Sequence, residues 1–341
     1  MQYLKISALF LLATVSAADA QDPKPTAYDQ FIGTWGLDSA DEYGSWLKVE
    51  PDTNGKVAAN LLWRVGSARK PREIEFADGT LSLTFRRNRK VDGKRVMVNT
   101  RYDVRRVPGP MPRIEVTETR FDAAGRKLPA DPKSAVARGR LLPPMLARPD
   151  LKKIRFGPEI ELFNGRDLSG WKLKPATAQN GWRVEKGELV NVTPKTDFSA
   201  YGEFGNLRSA AEFKDHQLHI EFNVEKNCNS GVYVRGMYEA QVVDRDSRMQ
   251  GIQGVGAVFG RIAPSKQAGL SGGQWQTYDI TLVDRHITVV LNGQKVIDNQ
   301  PVEGCTGGAL LGDITKAGPL YLQGDHTSVR YRNIRVRKRI E

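Results

Sequence analysis

Ile287-Thr288-Val289-Val290-Leu291-Asn292-Gly293-Gln294-Lys295-Val296-Ile297-Asp298 is the stretch on which the fold turns. Two runs rich in β-branched residues flank Asn-Gly, the pair that most readily takes the left-handed backbone of a two-residue hairpin turn. Similar runs lie upstream, at Leu218-His219-Ile220-Glu221-Phe222-Asn223-Val224 and Thr277-Tyr278-Asp279-Ile280-Thr281-Leu282-Val283. Short strands with turn signals at close spacing predict a sandwich of two antiparallel sheets over residues 159–341.

Toward the N-terminus the pattern breaks. Residues 128–158 hold Pro129, Pro132, Pro143, Pro144 and Pro149 with no strand period, which predicts a stiff connection between two domains. Before it, residues 21–127 alternate apolar and polar side chains in short runs such as Leu81-Ser82-Leu83-Thr84-Phe85 and Arg113-Ile114-Glu115-Val116-Thr117. Turn signals at Asp52-Thr53-Asn54-Gly55, Asp78-Gly79 and Asp92-Gly93 separate them, predicting a small antiparallel barrel or sandwich. The expected fold class is all-β throughout.

The first residues read as a leader. Lys5 precedes an apolar run from Ile6 to Ala17, and Ala18-Asp19-Ala20 has the small-x-small form of a cleavage site. A signal peptide over residues 1–20 implies a mature chain from Gln21, released to the periplasm or secreted. No other stretch reaches the roughly 20 apolar residues that a membrane-spanning helix needs. The two cysteines, Cys228 and Cys305, would be free to pair in such a compartment, or not to.

Against 39 acidic residues stand 51 lysines and arginines, a net charge of +12. Export and the scatter of these residues through strand-like sequence argue against a nucleic-acid partner. The clusters Arg86-Arg87-Asn88-Arg89-Lys90 and Arg335 to Arg339 read as solvated faces, with attraction to an anionic envelope surface as a further expectation.

No nucleophile elbow, glycine-rich phosphate loop or His-x-x-x-His pair is present. Polar groups concentrate instead in Asn229-Ser230-Gly231-Val232-Tyr233-Val234-Arg235-Gly236-Met237-Tyr238-Glu239-Ala240-Gln241-Val242-Val243-Asp244. A turn at Gly236–Tyr238 would pair Arg235 with Glu239 and Tyr233 with Gln241. All four then share one face, while Val232, Val234, Ala240 and Val242 share the other. The polar face is either a sugar-binding groove, whose amide, carboxylate and guanidinium groups match hydroxyls, or an ordinary cross-strand ion pair. A second cluster, Leu320-Tyr321-Leu322-Gln323-Gly324-Asp325-His326-Thr327, puts a histidine and a carboxylate just past a strand. His216, His219 and His286 sit in plain strand or turn context and read as structural.

Several landmarks in order resemble the 3-keto-disaccharide hydrolase family. They are Leu162-Phe163-Asn164-Gly165-Arg166-Asp167-Leu168-Ser169-Gly170-Trp171, Trp182 to Leu189, Asn229-Ser230-Gly231, Tyr238-Glu239-Ala240-Gln241, Gly273 to Tyr278, Leu291-Asn292-Gly293, Leu322 to His326 and Tyr331 to Val336. Departures fall at Asn227-Cys228 and at Asp246 to Gly256. The resemblance implies a concanavalin-like jelly roll acting on a glycoside already oxidised to a ketone at C3. It implies His326 as acid-base group with Asp325 orienting it, and Glu239 as a second proton-transfer group. Arg235, Gln241, Tyr233, Asn229 and Gln323 would bind the sugar. A divalent metal ion held by Glu239, Asp244 and His326 is left open, as is a non-catalytic carbohydrate-binding module. In the N-terminal half, Phe31-Ile32-Gly33-Thr34-Trp35 is similar to the opening of lipocalin-like barrels.

Overall fold

The computed structural model describes residues 28–91, 94–130, 135–194 and 203–340. The leader-like segment and the Asp92-Gly93 turn lie outside the described residues. Among those described there is no α-helix, and all regular structure beyond two single 3-10 turns is strand. The protein is all-β.

Eight strands precede residue 142: β1 (Gly33–Ser39), β2 (Gly44–Pro51), β3 (Val57–Leu62), β4 (Glu73–Ala77), β5 (Thr80–Val91), β6 (Lys94–Val107), β7 (Arg113–Phe121) and β8 (Val136–Leu141). They form one antiparallel sheet in the order β3-β2-β1-β8-β7-β6-β5-β4, a nearly closed barrel whose seam lies between β3 and β4. Alternate residues, among them Leu47, Leu83, Val104 and Val116, fill a single interior core. Trp35 is buried there; its indole N–H donates to the Phe31 carbonyl at 2.7 Å, and Arg106 lies 5.2 Å over the ring.

One expectation is corrected. Residues 136–141, assigned to the connection, are β8, the strand that joins β1 to β7. Its inward residues are Ala137 and Gly139, too small to read as a strand's apolar face. They are small because a Cβ at Gly139 would fall 2.5 Å from Leu37 and 2.7 Å from Ile114.

The rest of the chain supplies β9 (Arg155–Phe156), β10 (Ile160–Glu161), β11 (Trp171–Lys174), β12 (Trp182–Glu185), β13 (Glu188–Asn191), β14 (Asn206–Phe213) and β15 (His216–Asn223). Then follow β16 (Asn229–Val234), β17 (Tyr238–Val243), β18 (Trp275–Val283), β19 (His286–Leu291), β20 (Gln294–Pro301), β21 (Gly318–Leu322) and β22 (Val329–Ile340). One sheet runs β12-β13-β22-β15-β18-β19-β20 with β9 and β10 on β22; the other runs β11-β14-β21-β16-β17. They pack as a jelly-roll sandwich. Leu218, Ile220, Phe222 and Tyr278 of the first meet Val232, Val234, Ala240 and Leu322 of the second in one core. The valine, leucine, isoleucine and phenylalanine side chains among them each contribute roughly 1.5–3 kcal/mol on full burial. The β19–β20 hairpin turns at Asn292 (φ 51°) and Gly293 (φ 75°), the left-handed pair its sequence requires.

The barrel is joined to the sandwich along residues 304–313. Gly44 N–H donates to the Ala309 carbonyl at 2.8 Å, Gly308 N–H to Arg64 at 2.7 Å, and Gly312 N–H to the Asp38 carboxylate at 2.8 Å. Trp46 donates to the Cys305 carbonyl at 2.9 Å, beneath Arg261 at 4.3 Å from its ring. Gly36 and Gly44 touch the Leu311-Gly312 backbone more closely than any Cβ would permit. Cys228 and Cys305 are buried and free, so the bridge left open by the sequence is not made. Burial pushes the Cys305 thiol up to about 12.

Candidate active site

The β16–β17 hairpin closes through Arg235-Gly236-Met237, with Arg235 (φ 58°) and Gly236 (φ 62°) left-handed. Tyr233 therefore pairs with Glu239 and Gly231 with Gln241, a slip of two from the expected register. Since side chains alternate with a period of two, the slip keeps Tyr233, Glu239 and Gln241 on one face. Val232, Val234, Ala240 and Val242 face the core as expected. Arg235 is the residue the slip removes. It sits in the turn, fully buried, with Nε donating to the Lys316 carbonyl at 2.8 Å and a terminal nitrogen to the Ile314 carbonyl. Its guanidinium secures the 313–317 loop and takes no part in the polar face.

Glu239 lies across Gly231, where an added Cβ would meet its carboxyl carbon at 2.8 Å. Its own N–H donates to Thr306 Oγ1 at 3.0 Å. The Tyr233 hydroxyl donates to the Gly307 carbonyl at 2.9 Å and also bonds the Glu239 carboxyl. Burial holds Glu239 well above the usual carboxylate range, the Tyr233 hydrogen bond opposing this and the charge of Asp325 adding to it. Burial of this kind favours the protonated form of the carboxyl.

Around it the face is built of amides and phenols. Gln241 Nε2 donates to Asn229 Oδ1 at 3.1 Å. Tyr321 meets Tyr233 edge to face at 5.1 Å, and Asn206 Nδ2 donates to its hydroxyl at 2.6 Å. The Gln323 backbone pairs with Gly231, while its side-chain Oε1, though buried, accepts no hydrogen bond among the described residues. Such an orphaned acceptor costs about 1–3 kcal/mol and is expected where a ligand supplies the donor. Asn206, Thr306 and Tyr321 escaped the sequence reading; only Tyr321 stood inside a cluster already noticed.

Past β21, the loop carrying Asp325 and His326 is tightly held. Asn206 Oδ1 accepts from the Gly324 and Asp325 N–H groups at 2.7 and 3.1 Å. Thr193 and Asn191 donate to the Gly324 carbonyl at 2.6 and 3.0 Å. Gly324 packs against Trp182 so closely that a Cβ would stand 2.7 Å from the indole. Within this frame Asp325 Oδ1 and His326 Nδ1 are 2.6 Å apart, an orienting carboxylate and its imidazole. The remaining histidines lie elsewhere: His216 in the core, its imidazole pushed down to about 4 by burial, His219 on Asp279 and His286 on the Asp284 carbonyl.

The candidate ligand set for a metal does not assemble. Asp244 spends its carboxylate on the N–H groups of Asn227 (2.7 Å) and Asp246 (3.0 Å), the role of a turn cap. Among the described residues no group of three or more His, Cys, Asp or Glu side chains stands in ligand geometry.

A buried carboxyl, a carboxylate–imidazole pair, amides and phenols share one face of a jelly-roll sandwich, and the protein is carbohydrate-active in class. The particular family follows from residues 158–337, more than half the chain, which match the 3-keto-alpha-glucoside-1,2-lyase-like domain. The chain belongs to that family. No curated protein sequence matches it. Among solved structures it is similar to a Parabacteroides distasonis protein provisionally assigned as a glycosyl hydrolase, at 19% identity over 54% of this chain and 94% of that one, TM-score 0.43. A carbohydrate-binding module, CBM66, from Bacillus subtilis aligns at 11% identity over 49% and 96%, TM-score 0.34. A Bacillus licheniformis β-glucanase aligns at 14% over 54% and 99%, TM-score 0.31.

Proposed function

We propose that the protein cleaves 3-keto-glycosides by elimination and hydration. A ketone at C3 acidifies the C2–H, so a modest base removes that proton and the C1–O bond breaks. The leaving oxygen takes a proton and departs as an alcohol, leaving a 1,2-unsaturated 3-ketone. Water then adds hydroxyl to C1 and hydrogen to C2, which completes net hydrolysis; without this step the outcome is a lyase.

The observation that carries the reading is a buried Glu239, its carboxyl held above the usual range, with the Asp325–His326 pair near enough for the charge of Asp325 to act on it. A carboxyl biased toward its protonated form would be the acid, and an imidazole oriented by a carboxylate the base, that the reaction needs. His326 takes the C2 proton at Nε2, Asp325 fixing the tautomer through Nδ1. Glu239 gives its proton to the departing oxygen. Tyr233, Gln241, Asn229 and Gln323 hold hydroxyls and the developing enolate oxygen. Export of the mature chain by residues 1–20 is part of the proposal; N-terminal sequencing of protein from the periplasmic fraction checks it.

The test is release of p-nitrophenol from p-nitrophenyl 3-keto-glucoside and from its unoxidised parent, with and without chelator. Release from the keto form alone is expected, with deuterium from heavy water entering at C2. Equal release from both forms, or none with the sugar still bound, overturns the reading in favour of an ordinary glycosidase or a binding module. Loss on chelation would add a metal ion.

A further inference from the structure

The turn between β1 and β2 belongs to the barrel but stands beside the outer face of the sandwich. Between them lies a cavity of about 470 Å³, lined by Glu42 and Tyr43 on the barrel side and by Lys174, Thr177, Leu310 and Tyr321 on the other. This is within the range of small-molecule sites, roughly 300–1,000 Å³. Tyr321 is also the ring that packs on Tyr233, so the cavity and the candidate active site share a wall.

Tyr43 is fixed in place. Arg64 lies 5.2 Å over its ring and pairs with Asp41, while the Arg64 carbonyl holds Gly308 N–H at 2.7 Å. Lys174 and Glu42 form an ion pair across the cavity mouth. Burial, and next the charge of Asp325, raise the Tyr43 phenol above its ordinary value, which places Asp325 within electrostatic reach of that ring. The phenol makes no hydrogen bond among the described residues. A half-buried aromatic ring lining the cavity with a second tyrosine suits a flat ring.

We propose that this cavity receives the group attached at C1 of the sugar, and that Tyr43, contributed by the barrel, makes the enzyme selective for a ring-bearing leaving group. The inference rests on the keto-glycoside reading above, and its test separates the two. The kcat/KM values for p-nitrophenyl and methyl 3-keto-glucoside are measured for the full chain and for Tyr43→Ala, Tyr43→Phe and Thr177→Trp. Thr177 is exposed, so the larger side chain fills the cavity without entering a core. The aryl-over-methyl ratio should fall about tenfold in Tyr43→Ala and Thr177→Trp, the equivalent of about 1.4 kcal/mol, and hold within about twofold in Tyr43→Phe. An unchanged ratio in both, whatever the absolute rates, overturns the proposal. Turnover of neither substrate by the parent chain would sink the keto-glycoside reading alone. Calorimetric titration with p-nitrophenyl and methyl glucoside then decides the cavity: aryl binding that weakens in Thr177→Trp upholds it, and aryl binding that is absent or unchanged overturns it.

Discussion

The two faces of the five-stranded sheet are both buried, by opposite means. Its inner face, with Val232, Val234, Ala240, Val242 and Leu322, is closed by the larger sheet and is apolar but for Ser230, which bonds the Tyr331 hydroxyl at 2.8 Å. Its outer face, closed by the barrel and the 304–313 loop, buries Glu239, Gln241 and Gln323 beside the rings of Tyr233 and Tyr321 and is largely polar. Burying apolar groups stabilises; burying a carboxyl and an unpaired amide oxygen costs free energy. A fold would gain by making the outer face apolar as well. Its polarity is what the proposed reaction would require, and on that reading stability and turnover should respond to different faces.

The largest expected effect tests that separation directly. His326→Ala should lower kcat/KM by roughly 10²–10⁴-fold with melting temperature near that of the parent. A matching loss of stability would mean that the loop is a structural element. On the opposite face, Leu322→Ala should cost about 2–5 kcal/mol in denaturant unfolding while the folded protein keeps its KM. A selective change in KM would break the comparison.

Protonation sharpens it further, because the buried titratable groups of core and site carry opposite signs. His216 is held near 4 in the folded state against 6.5 unfolded. Its folded form binds the proton more weakly, so stability is lost as pH falls from 6.5 through 4, by on the order of 3 kcal/mol. Chemical denaturation across that window should show the loss in the parent and not in His216→Gln. Glu239 is raised, so its sign reverses: stability is full below the unfolded value of about 4.3 and is lost as pH rises toward the folded one. The smallest effect expected is that Glu239→Gln, locked neutral, unfolds at higher denaturant than the parent at alkaline pH, with turnover reduced at every pH. Equal stability of the two proteins at all pH values would contradict a neutral Glu239.

Much of this was legible in the chain. The Asn292-Gly293 hairpin and the apolar alternation of Val232 to Val242 fixed the sandwich, because local turn chemistry and a period of two are properties of neighbours in sequence. The polar face survived a wrong register because the slip was even. Arg235 was misassigned because a turn of Arg235-Gly236-Met237 competes closely with one of Gly236-Met237-Tyr238, and the glycine allows either. β8 was hidden by packing that demands Ala137 and Gly139. The burial that raises Glu239 and the presence of Tyr43 near Tyr321 were beyond reach, since both depend on partners distant in sequence.

The seam between barrel and sandwich has a consequence for how the protein is made. Asp38 meets Gly312 across 274 residues, and Trp46 meets Cys305 across 259. During synthesis the barrel can close as soon as β8 has emerged, yet its docking surface does not exist until residues 304–313 have followed. Asp325 and His326 come later still. The nascent chain thus carries a closed barrel with nothing to dock against while most of the sandwich is made, and residues 304–313 then seat it beside the five-stranded sheet.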